Sequence, residues 1–330
     1  MTGPLVTVVV PTFRHPDFLA QTLPAVLSQT YDPLEIIVSD DGSGDRTPEV
    51  VGRFPSRRLR FRQNQETAGI CAHLNQCLAE ARGKYFVVIS DDDLVSPDFV
   101  ASQVALLEAH PEATVCLSRC RTIDREGRAM NDLGCPDWTT YPGIEFLLDW
   151  LTRRNPVHFA TLFSMVTRTD FLRQLGGYPV FRWGSNLENA VFIGLALQGA
   201  VGFAPEALFQ YRVYGASSGL GVSPSLLAHA FSDYLSYING DTSVGNLLNR
   251  LPASQANAIR KGAARGSAEY YLRWLAGKSA AGRMPVRDLA RALGSYSSSA
   301  AYAQALCRFP VYLTKQVLSR WGLARQWPPA

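Results

Sequence analysis

The amino-acid sequence predicts an α/β protein built on a mostly parallel sheet. Short apolar runs alternate along the chain with segments of helical spacing, the order that is typical of parallel strands covered by helices on both faces. The apolar runs are rich in Val and Ile and lack polar alternation, as expected of strands buried on both faces. The predicted strands are residues 5–10, 34–39, 59–62 and 85–89, and the predicted helices between them are residues 17–29, 46–54 and 69–81.

The elements beyond residue 90 follow a looser pattern. Ser96 before Pro97 predicts the start of a helix, and residues 124–142 predict a long loop. The later predicted elements are a strand at 160–167, helices at 169–175 and 188–198, and two edge strands at 201–203 and 208–212.

The 330-residue chain divides into two predicted regions. Residues 1–215 carry the alternating strands and helices, and residues 216–225, rich in Gly, Ser and Pro, predict a linker. Residues 226–330 have helical spacing, so we expect a smaller, all-helical C-terminal region.

Composition excludes several classes of protein. Hydrophobic residues make up 47% of the chain and charged residues 18%, as in ordinary globular proteins. No apolar run reaches about 18 residues, so the sequence predicts no membrane-spanning helix, and the first residues lack the basic segment of a signal peptide. The six scattered cysteines form no CxxC pair, which argues against a zinc site and suits a reducing cytoplasm.

Charge is distributed unevenly along the chain. From residue 251 onward there are 12 Lys and Arg against Glu269 and Asp288, whereas the first 250 residues carry 20 basic and 26 acidic residues. A basic tail suits an anionic partner, such as phospholipid, a pyrophosphate-linked acceptor or nucleic acid. Residues 310–327 also carry an apolar stripe flanked by basic and aromatic residues, as in helices that lie in a headgroup region.

The cysteines and the first residues predict a cytoplasmic protein, and the tail predicts that it docks peripherally on the inner face of a membrane. The alternatives are a solvated helical surface and a stripe that packs on the rest of the chain or on a second subunit. A homodimer is left open, and we predict no nucleic-acid partner.

Two acidic clusters lie where predicted strands end. Asp40 and Asp41 follow the second strand, and Asp91, Asp92 and Asp93 follow the fourth. The carboxyl ends of parallel strands meet at one edge of a sheet, where ligands bind. Adjacent carboxylates repel each other, and a divalent cation relieves this repulsion. The sequence therefore predicts a Mn²⁺ or Mg²⁺ site that binds phosphate oxygens, with a solvated acidic turn as the alternative.

A series of short motifs around these clusters resembles glycosyltransferase family 2. The motifs occur in the family's serial order over about residues 6–217, whereas we identify no family resemblance in the tail. They are residues 8–13 (VVVPTF), 27–31 (LSQTY), 35–43 (EIIVSDDGS), Asn64, Gly69, Asn75, 83–85 (GKY), 91–93 (DDD), 176–178 (GGY), 203–206 (FAPE) and 211–212 (YR).

The resemblance implies a GT-A fold, with a nucleotide-binding domain, and an inverting, metal-dependent glycosyltransferase. The implied donor is a nucleoside-diphosphate sugar, and the implied acceptor is a glycan or lipid-linked molecule of bacterial surface polysaccharide synthesis. Asp93 is expected to support its loop. The implied donor-site residues are Pro11 and Phe13 in the base pocket, Asp40 or Asp41 as hydrogen-bond acceptors from the base, Gly69, Asp91 at the ribose, Arg212 at a phosphate and Asp92 on the metal.

An inverting transfer also needs a general base on the acceptor hydroxyl. The family places an Asp at the start of a helix after the Gly-Gly-Tyr turn, and Glu188 stands at that place here. A shift of one residue would put Asn189 there, which cannot act as a base, and the alternative role for Glu188 is a first-turn helix charge. A second departure is Tyr214, where the family often has a His that helps to hold the metal or the diphosphate. For Arg212, an ion pair at the sheet edge is the alternative to a phosphate contact.

Two rival functions stay open. A nucleotidyltransferase also combines an α/β sheet with metal-binding carboxylates, but a Gly-rich loop with Arg and Lys usually follows its first strand, whereas residues 11–14 are PTFR. A catalytically dead binding module of the same fold is suggested by Glu188 and Tyr214. The five histidines, including His15, fit surface or core positions better than catalytic ones, and Trp138 and Trp183 favour packing over sugar stacking.

Overall fold

The structure is a computed structural model that describes residues 3–152, 165–184, 186–214 and 223–280. Within these residues, one sheet lies between two layers of helices. The strands are β1 (Val6–Thr12), β2 (Leu34–Asp40), β3 (Leu59–Gln63), β4 (Tyr85–Val88), β5 (Leu94–Val95), β6 (Ala113–Ile123), β7 (Ala129–Asp132), β8 (Thr140–Tyr141), β9 (Val166–Arg168) and β10 (Ala200–Arg212). The helices are α1 (Pro16–Leu27), α2 (Thr47–Gly52), α3 (Ile70–Glu80), α4 (Phe99–Ala109), α5 (Gly143–Thr152), α6 (Thr169–Gln174), α7 (Leu187–Ala196), α8 (Pro224–Asn239), α9 (Ser243–Asn249) and α10 (Ala253–Ala280).

The main path of the sheet runs in the order β3-β2-β1-β4-β9-β6-β10-β5. The strands β3, β2, β1 and β4 pair in parallel, and so do β6 and β10. The short strand β9 is antiparallel to both β4 and β6 and joins the two parallel groups. The predicted fold class, an α/β protein with a mostly parallel sheet and a helical C-terminal region, is confirmed.

The residues of β1 explain why helices cover both faces of the sheet. All seven are buried, and successive side chains point to opposite faces. Val8 and Val10 pack into one hydrophobic cluster with Leu19 and Leu23 of α1. Val9 belongs to the other cluster, which contains residues of α3, α5, α6 and α7.

The C-terminal helices share this second cluster with the sheet. Tyr234 of α8, Leu248 of α9 and Ile259 of α10 are buried in it. The helix α8 begins inside the segment predicted as a linker, because the Ser223 side chain accepts a hydrogen bond from the backbone N–H of Leu226 and Pro224 occupies the first turn. The division into residues 1–215, 216–225 and 226–330 stays a prediction.

Three local predictions were wrong. Ser96 does not cap a helix, because its hydroxyl accepts a hydrogen bond from the backbone N–H of Leu208, and α4 begins only at Phe99. The predicted loop at 124–142 contains the strands β7 and β8. The two predicted edge strands form one strand, β10, which lies between β6 and β5. The pairing of β10 with β6 shifts register between Ala204 and Leu208, and Pro205, which interrupts the apolar pattern of the sequence, lies within this shift.

Some predictions lie outside the described residues. These include the stripe at 310–327, most of the segment at 160–167 and the side chain of Trp183. Trp138 is described, and it packs edge-on against Tyr141 and Phe146 as expected. Over the part of the chain that the structure describes, no helix combines the length and the hydropathy that a bilayer crossing requires.

Candidate active site

The carboxyl ends of β1, β2 and β4 lie side by side at one edge of the sheet. Thr12 pairs with Asp40 in the register of β1 and β2, and the backbone N–H of Asp41 donates to the carbonyl of Thr12 over 3.0 Å. On the other side of β1, the backbone N–H of Ile89 donates to Val9 over 2.9 Å just before the second acidic cluster. The two predicted clusters therefore meet at this edge.

Asp40 organises the turn that follows β2. Its side chain is fully buried, and its Oδ1 accepts hydrogen bonds from the backbone N–H of Ser43 at 3.0 Å and from the Ser43 hydroxyl. Its Oδ2 accepts from the Gln63 amide at 2.7 Å. A buried carboxylate with this many donors fixes the local backbone.

Asp41 fixes the loop that leads into α3. Its carboxylate accepts hydrogen bonds from the Asn64 amide at 2.7 Å and from the backbone N–H groups of Ala68 and Gly69, each at 2.9 Å. Gly69 has a φ of 81°, a conformation that glycine adopts at little cost. In this structure Asp40 and Asp41 hold the turns around the predicted base pocket, and their contact with a base stays a prediction.

Phe13 provides the exposed aromatic surface at this edge. Pro11 is buried in β1, whereas the Phe13 side chain is 37% exposed. The guanidinium carbon of Arg14 lies 4.8 Å from the centre of the Phe13 ring. The position suits contact with a planar ligand, and the predicted role of Phe13, lining the base pocket, stays a prediction.

Asp91 lies between Phe13 and His15. Its Oδ2 accepts a hydrogen bond from the backbone N–H of Phe13 at 3.4 Å, and its Oδ1 lies 3.3 Å from Nδ1 of His15. Burial raises the pKa of the Asp91 carboxyl, and the hydrogen bond with His15 opposes that shift. The same hydrogen bond raises the pKa of His15, which favours an ion pair between the two residues.

The sequence analysis placed His15 at an ordinary helix end and gave it no role at the site. The structure agrees that His15 is the N-cap residue of α1 and adds that its ring faces Asp91. The sequence could have identified His15 through its position two residues after Phe13, since a side chain just past the end of β1 lies at the ligand-binding edge.

Asp92 is the most exposed of the three consecutive aspartates. Its Oδ2 accepts a hydrogen bond from the hydroxyl of Tyr214 at 2.9 Å. The Tyr214 ring in turn packs against Phe18 of α1 with 4.8 Å between ring centres. Burial raises the pKa of the Tyr214 hydroxyl, and the charge of Asp92 raises it further, so this hydroxyl stays a hydrogen-bond donor.

Asp93 and Arg212 tie this loop to β10. The buried Asp93 carboxylate accepts a hydrogen bond from the backbone N–H of Arg212 at 2.8 Å, which is the supporting arrangement expected for Asp93. Burial raises the pKa of Asp93 well above its ordinary value. Thr22 of α1 adds a second tie, because its hydroxyl lies 2.8 and 2.9 Å from the carbonyls of Asp91 and Asp93.

Arg212 is almost completely buried, and its side chain serves as a structural tie. Its guanidinium donates to the carbonyl of Asp92 at 2.5 Å and to those of Asp124 and Arg125 at 3.3 and 2.6 Å. Its Nη2 has no hydrogen-bond partner among the described residues. A phosphate contact through that nitrogen stays a prediction.

The residues around Asp92 fit a divalent cation. One ligand atom from each of His15, Asp91 and Asp92 lies within 4.8 Å of the others. Carboxylate oxygens and an imidazole nitrogen are donors that Mn²⁺ accepts, and His15 would release its proton on binding the ion. Burial and a neighbouring carboxylate raise the pKa of Asp91, and a bound cation would compensate both effects.

Glu188 lies in the first turn of α7, as predicted, beside a small cavity. The cavity has a volume of about 20 Å³, room for one or two water molecules, and its walls include Phe86, Tyr178 and Val191. Burial among these side chains raises the pKa of Glu188 to about 7. A carboxyl with a pKa near neutral is suited to general-base chemistry. The neighbouring Asn189 instead donates to the side chain of Asn186 at 2.9 Å.

Tyr211 of β10 has a perturbed hydroxyl group. Burial raises the pKa of Tyr211 to about 12, and the negative charges of Asp93, Asp92 and Glu188 add to this effect. The described residues thus place an exposed aromatic ring and carboxylates at the strand ends, and a carboxyl with a pKa near neutral at the start of α7.

The chain belongs to glycosyltransferase family 2. The family described as Glycosyl transferase family 2 matches residues 7–176. A relative in Bacillus subtilis, named "Putative glycosyltransferase EpsE", is 35% identical over 218 residues, covering 64% of this chain and 74% of that protein. "Uncharacterized protein Rv1520" of Mycobacterium tuberculosis is 30% identical over 142 residues, and the match spans 42% of this chain and only 41% of the mycobacterial protein.

Solved structures establish the GT-A type of fold. S. aureus TarS 1-349 in complex with UDP-GlcNAc superimposes with a TM-score of 0.56 at 15% identity, covering 98% of this chain and 94% of that one. The mannosyltransferase PcManGT from Pyrobaculum calidifontis, in complex with GDP-Man and Mn²⁺, has a TM-score of 0.56 at 21% identity, covering 96% of this chain and 88% of that one.

Proposed function

We propose that this protein catalyses the inverting, metal-dependent transfer of a sugar from a nucleoside-diphosphate donor to an acceptor hydroxyl. The observation that carries the proposal is the meeting of Phe13, Asp41 and Asp92 at the carboxyl edge of the sheet in a family 2 chain. The bound molecules of the two structural neighbours, UDP-GlcNAc in one and GDP-Man with Mn²⁺ in the other, support the same class of donor.

The proposed mechanism divides the work between two sets of residues. Asp92, with Asp91 and His15 beside it, would hold Mn²⁺ or Mg²⁺, and the chemistry that this ion supplies is stabilisation of charge on the departing diphosphate. Tyr214 donates a hydrogen bond to one oxygen of Asp92 and would hold that carboxylate in place for the ion. Glu188 would accept the proton of the acceptor hydroxyl as that oxygen attacks the anomeric carbon.

The donor class is tested by thermal unfolding of the full chain with UDP-, dTDP- and GDP-sugars, each with and without Mn²⁺. We expect one nucleotide class to raise the melting temperature, because a ligand that binds only the folded protein stabilises it. The effect should require the ion, and the same nucleotide sugar should be hydrolysed slowly to the nucleoside diphosphate. Absence of both stabilisation and hydrolysis across the panel would contradict the proposed function.

A binding module without catalysis is the second candidate, since Glu188 and Tyr214 depart from the family pattern. Its signature in the same experiment is different. The nucleotide sugar would stabilise the protein, but no nucleoside diphosphate would be released at any pH or with either ion.

The proposed acceptor is a glycan or lipid-linked sugar of bacterial surface polysaccharide synthesis. The net charge of +10 from residue 251 onward favours docking on an anionic cytoplasmic membrane surface, where each Lys or Arg contributes about 1 kcal/mol. We expect the full chain to float with anionic liposomes and not with neutral ones, and a truncation after Arg308 to float less. Binding that is absent, or insensitive to both changes, would leave the tail only a packing role within the chain or in a homodimer.

A further inference from the structure

A second cavity lies next to the aspartate cluster, on the outer side of His15. It is an open cleft with a volume of about 570 Å³. One wall is formed by residues 14–18 and Gln21 at the start of α1, and the other by Arg125 and Glu126 in the β6–β7 connection. His15 belongs both to this cleft and to the candidate metal cluster, so the two sites are contiguous.

Two arginines that line the cleft form no ion pair with its acidic residues. Asp17 pairs with Arg46, and Glu126 pairs with Arg128 at 3.0 Å, an arginine that also pairs with Asp124 at 2.6 Å. Arg14 and Arg125 are exposed, and in the described parts of the chain neither forms an ion pair. Two guanidinium groups, one from each wall, therefore line a cleft that is open to solvent.

Contacts with an aromatic ring and with the backbone hold the segments that carry both arginines. The guanidinium of Arg125 lies 5.8 Å from the centre of the Phe18 ring, and that of Arg212 lies 5.0 Å from the same ring. Arg212 also holds the backbone carbonyl of Arg125 at 2.6 Å. Arg14 has a φ of 60°, and the Ser43 hydroxyl accepts its backbone N–H at 2.8 Å. Ordered cations bind a ligand at a smaller entropic cost than mobile ones.

We propose that this cleft binds a phosphate ester group, held between Arg14 and Arg125, beside the transfer site. The guanidinium fork matches the geometry of phosphate oxygens, and hydrogen bonds assisted by charge are the strong ones. The proposal rests on the proposed glycosyltransferase function, which offers two sources of that group. One is the phosphate of a lipid-linked acceptor, and the other is the diphosphate of the donor.

The test compares ligand affinities of Arg125→Ala, Arg14→Ala and the double variant by calorimetry in the full chain with Mn²⁺. The probes are UDP and GDP for the donor source and farnesyl diphosphate for the acceptor source. Arg57→Ala is the control. Arg57 is an exposed arginine just before the amino end of β3, whereas the cleft adjoins the carboxyl ends of the strands. Arg125→Ala leaves in place the carbonyl that Arg212 contacts, so the fold should persist.

We expect the double variant to bind at least one diphosphate class about tenfold or more weakly than Arg57→Ala, as loss of hydrogen bonds between charged groups predicts. A loss confined to farnesyl diphosphate assigns the cleft to the acceptor, and a loss confined to nucleotides assigns it to the donor. Affinities within twofold of the control for every probe, or no binding of any probe to the unsubstituted protein, would overturn the proposal. Intact phosphate binding without sugar turnover would instead contradict only the proposed function.

Discussion

Asp92→Ala and Asp92→Asn are expected to abolish sugar transfer while the protein stays folded. Asp92 is the least buried of three adjacent carboxylates, and its side chain has a single hydrogen bond, from Tyr214, among the described residues. Removing one of three like charges relieves repulsion with Asp91 and Asp93, so we expect no loss of stability. The ion should then bind too weakly to support transfer.

Two measurements check this expectation. Release of nucleoside diphosphate reports turnover, and the electron paramagnetic resonance signal of free Mn²⁺ reports ion binding without reference to activity. Asp98→Asn is the matched control, because Asp98 is an exposed aspartate six residues away that makes no capping hydrogen bond. Unchanged turnover in the Asp92 variants, or in wild-type protein with excess chelator, would refute the metal role.

Glu188→Gln is expected to lower turnover by roughly a hundredfold or more, since general-base catalysis contributes about 10²–10⁴. Donor affinity should change little, because the residue is proposed to act on the acceptor. The wild-type rate should fall as pH drops below about 7, the pKa of Glu188, because only the deprotonated carboxylate accepts a proton. The Gln variant should lack this pH dependence. A larger effect from Asn189→Ala than from Glu188→Gln would show that the base lies elsewhere.

The same substitution is expected to stabilise the protein at alkaline pH. The pKa of Glu188 in the folded protein, about 7, exceeds the ordinary value of 4.5, so the folded state binds this proton more tightly than the unfolded chain. Stability from this group is therefore present at low pH and lost as pH rises from about 4.5 to 7. We expect Glu188→Gln to raise the free energy of unfolding at pH 8 by up to ~3 kcal/mol and to change it little at pH 4. Equal effects at both pH values would mean that the carboxyl is not desolvated.

Local patterns in the sequence determined the fold class and the edge at which the site lies. Buried strands such as Val6–Thr12 are continuous apolar runs, so they are recognisable without knowledge of their partners. The site formed by the aspartates at strand ends was also predictable, because parallel strands bring their carboxyl ends together whatever the strand order. The position of a residue within a single helix was equally predictable: Glu188 lies in the first turn of α7, as expected.

Tertiary structure alone decided what these side chains contact. Asp40 and Asp41 have the same sequence signature as Asp91 and Asp92, yet their oxygens bind the turns at Ser43 and Gly69. Distance along the chain conceals such partners: His15 reaches Asp91 across 76 residues, and Tyr214 reaches Asp92 across 122. Hydrogen bonds and desolvation depend on atoms within a few ångströms in space, and no local pattern encodes which distant residue will lie there.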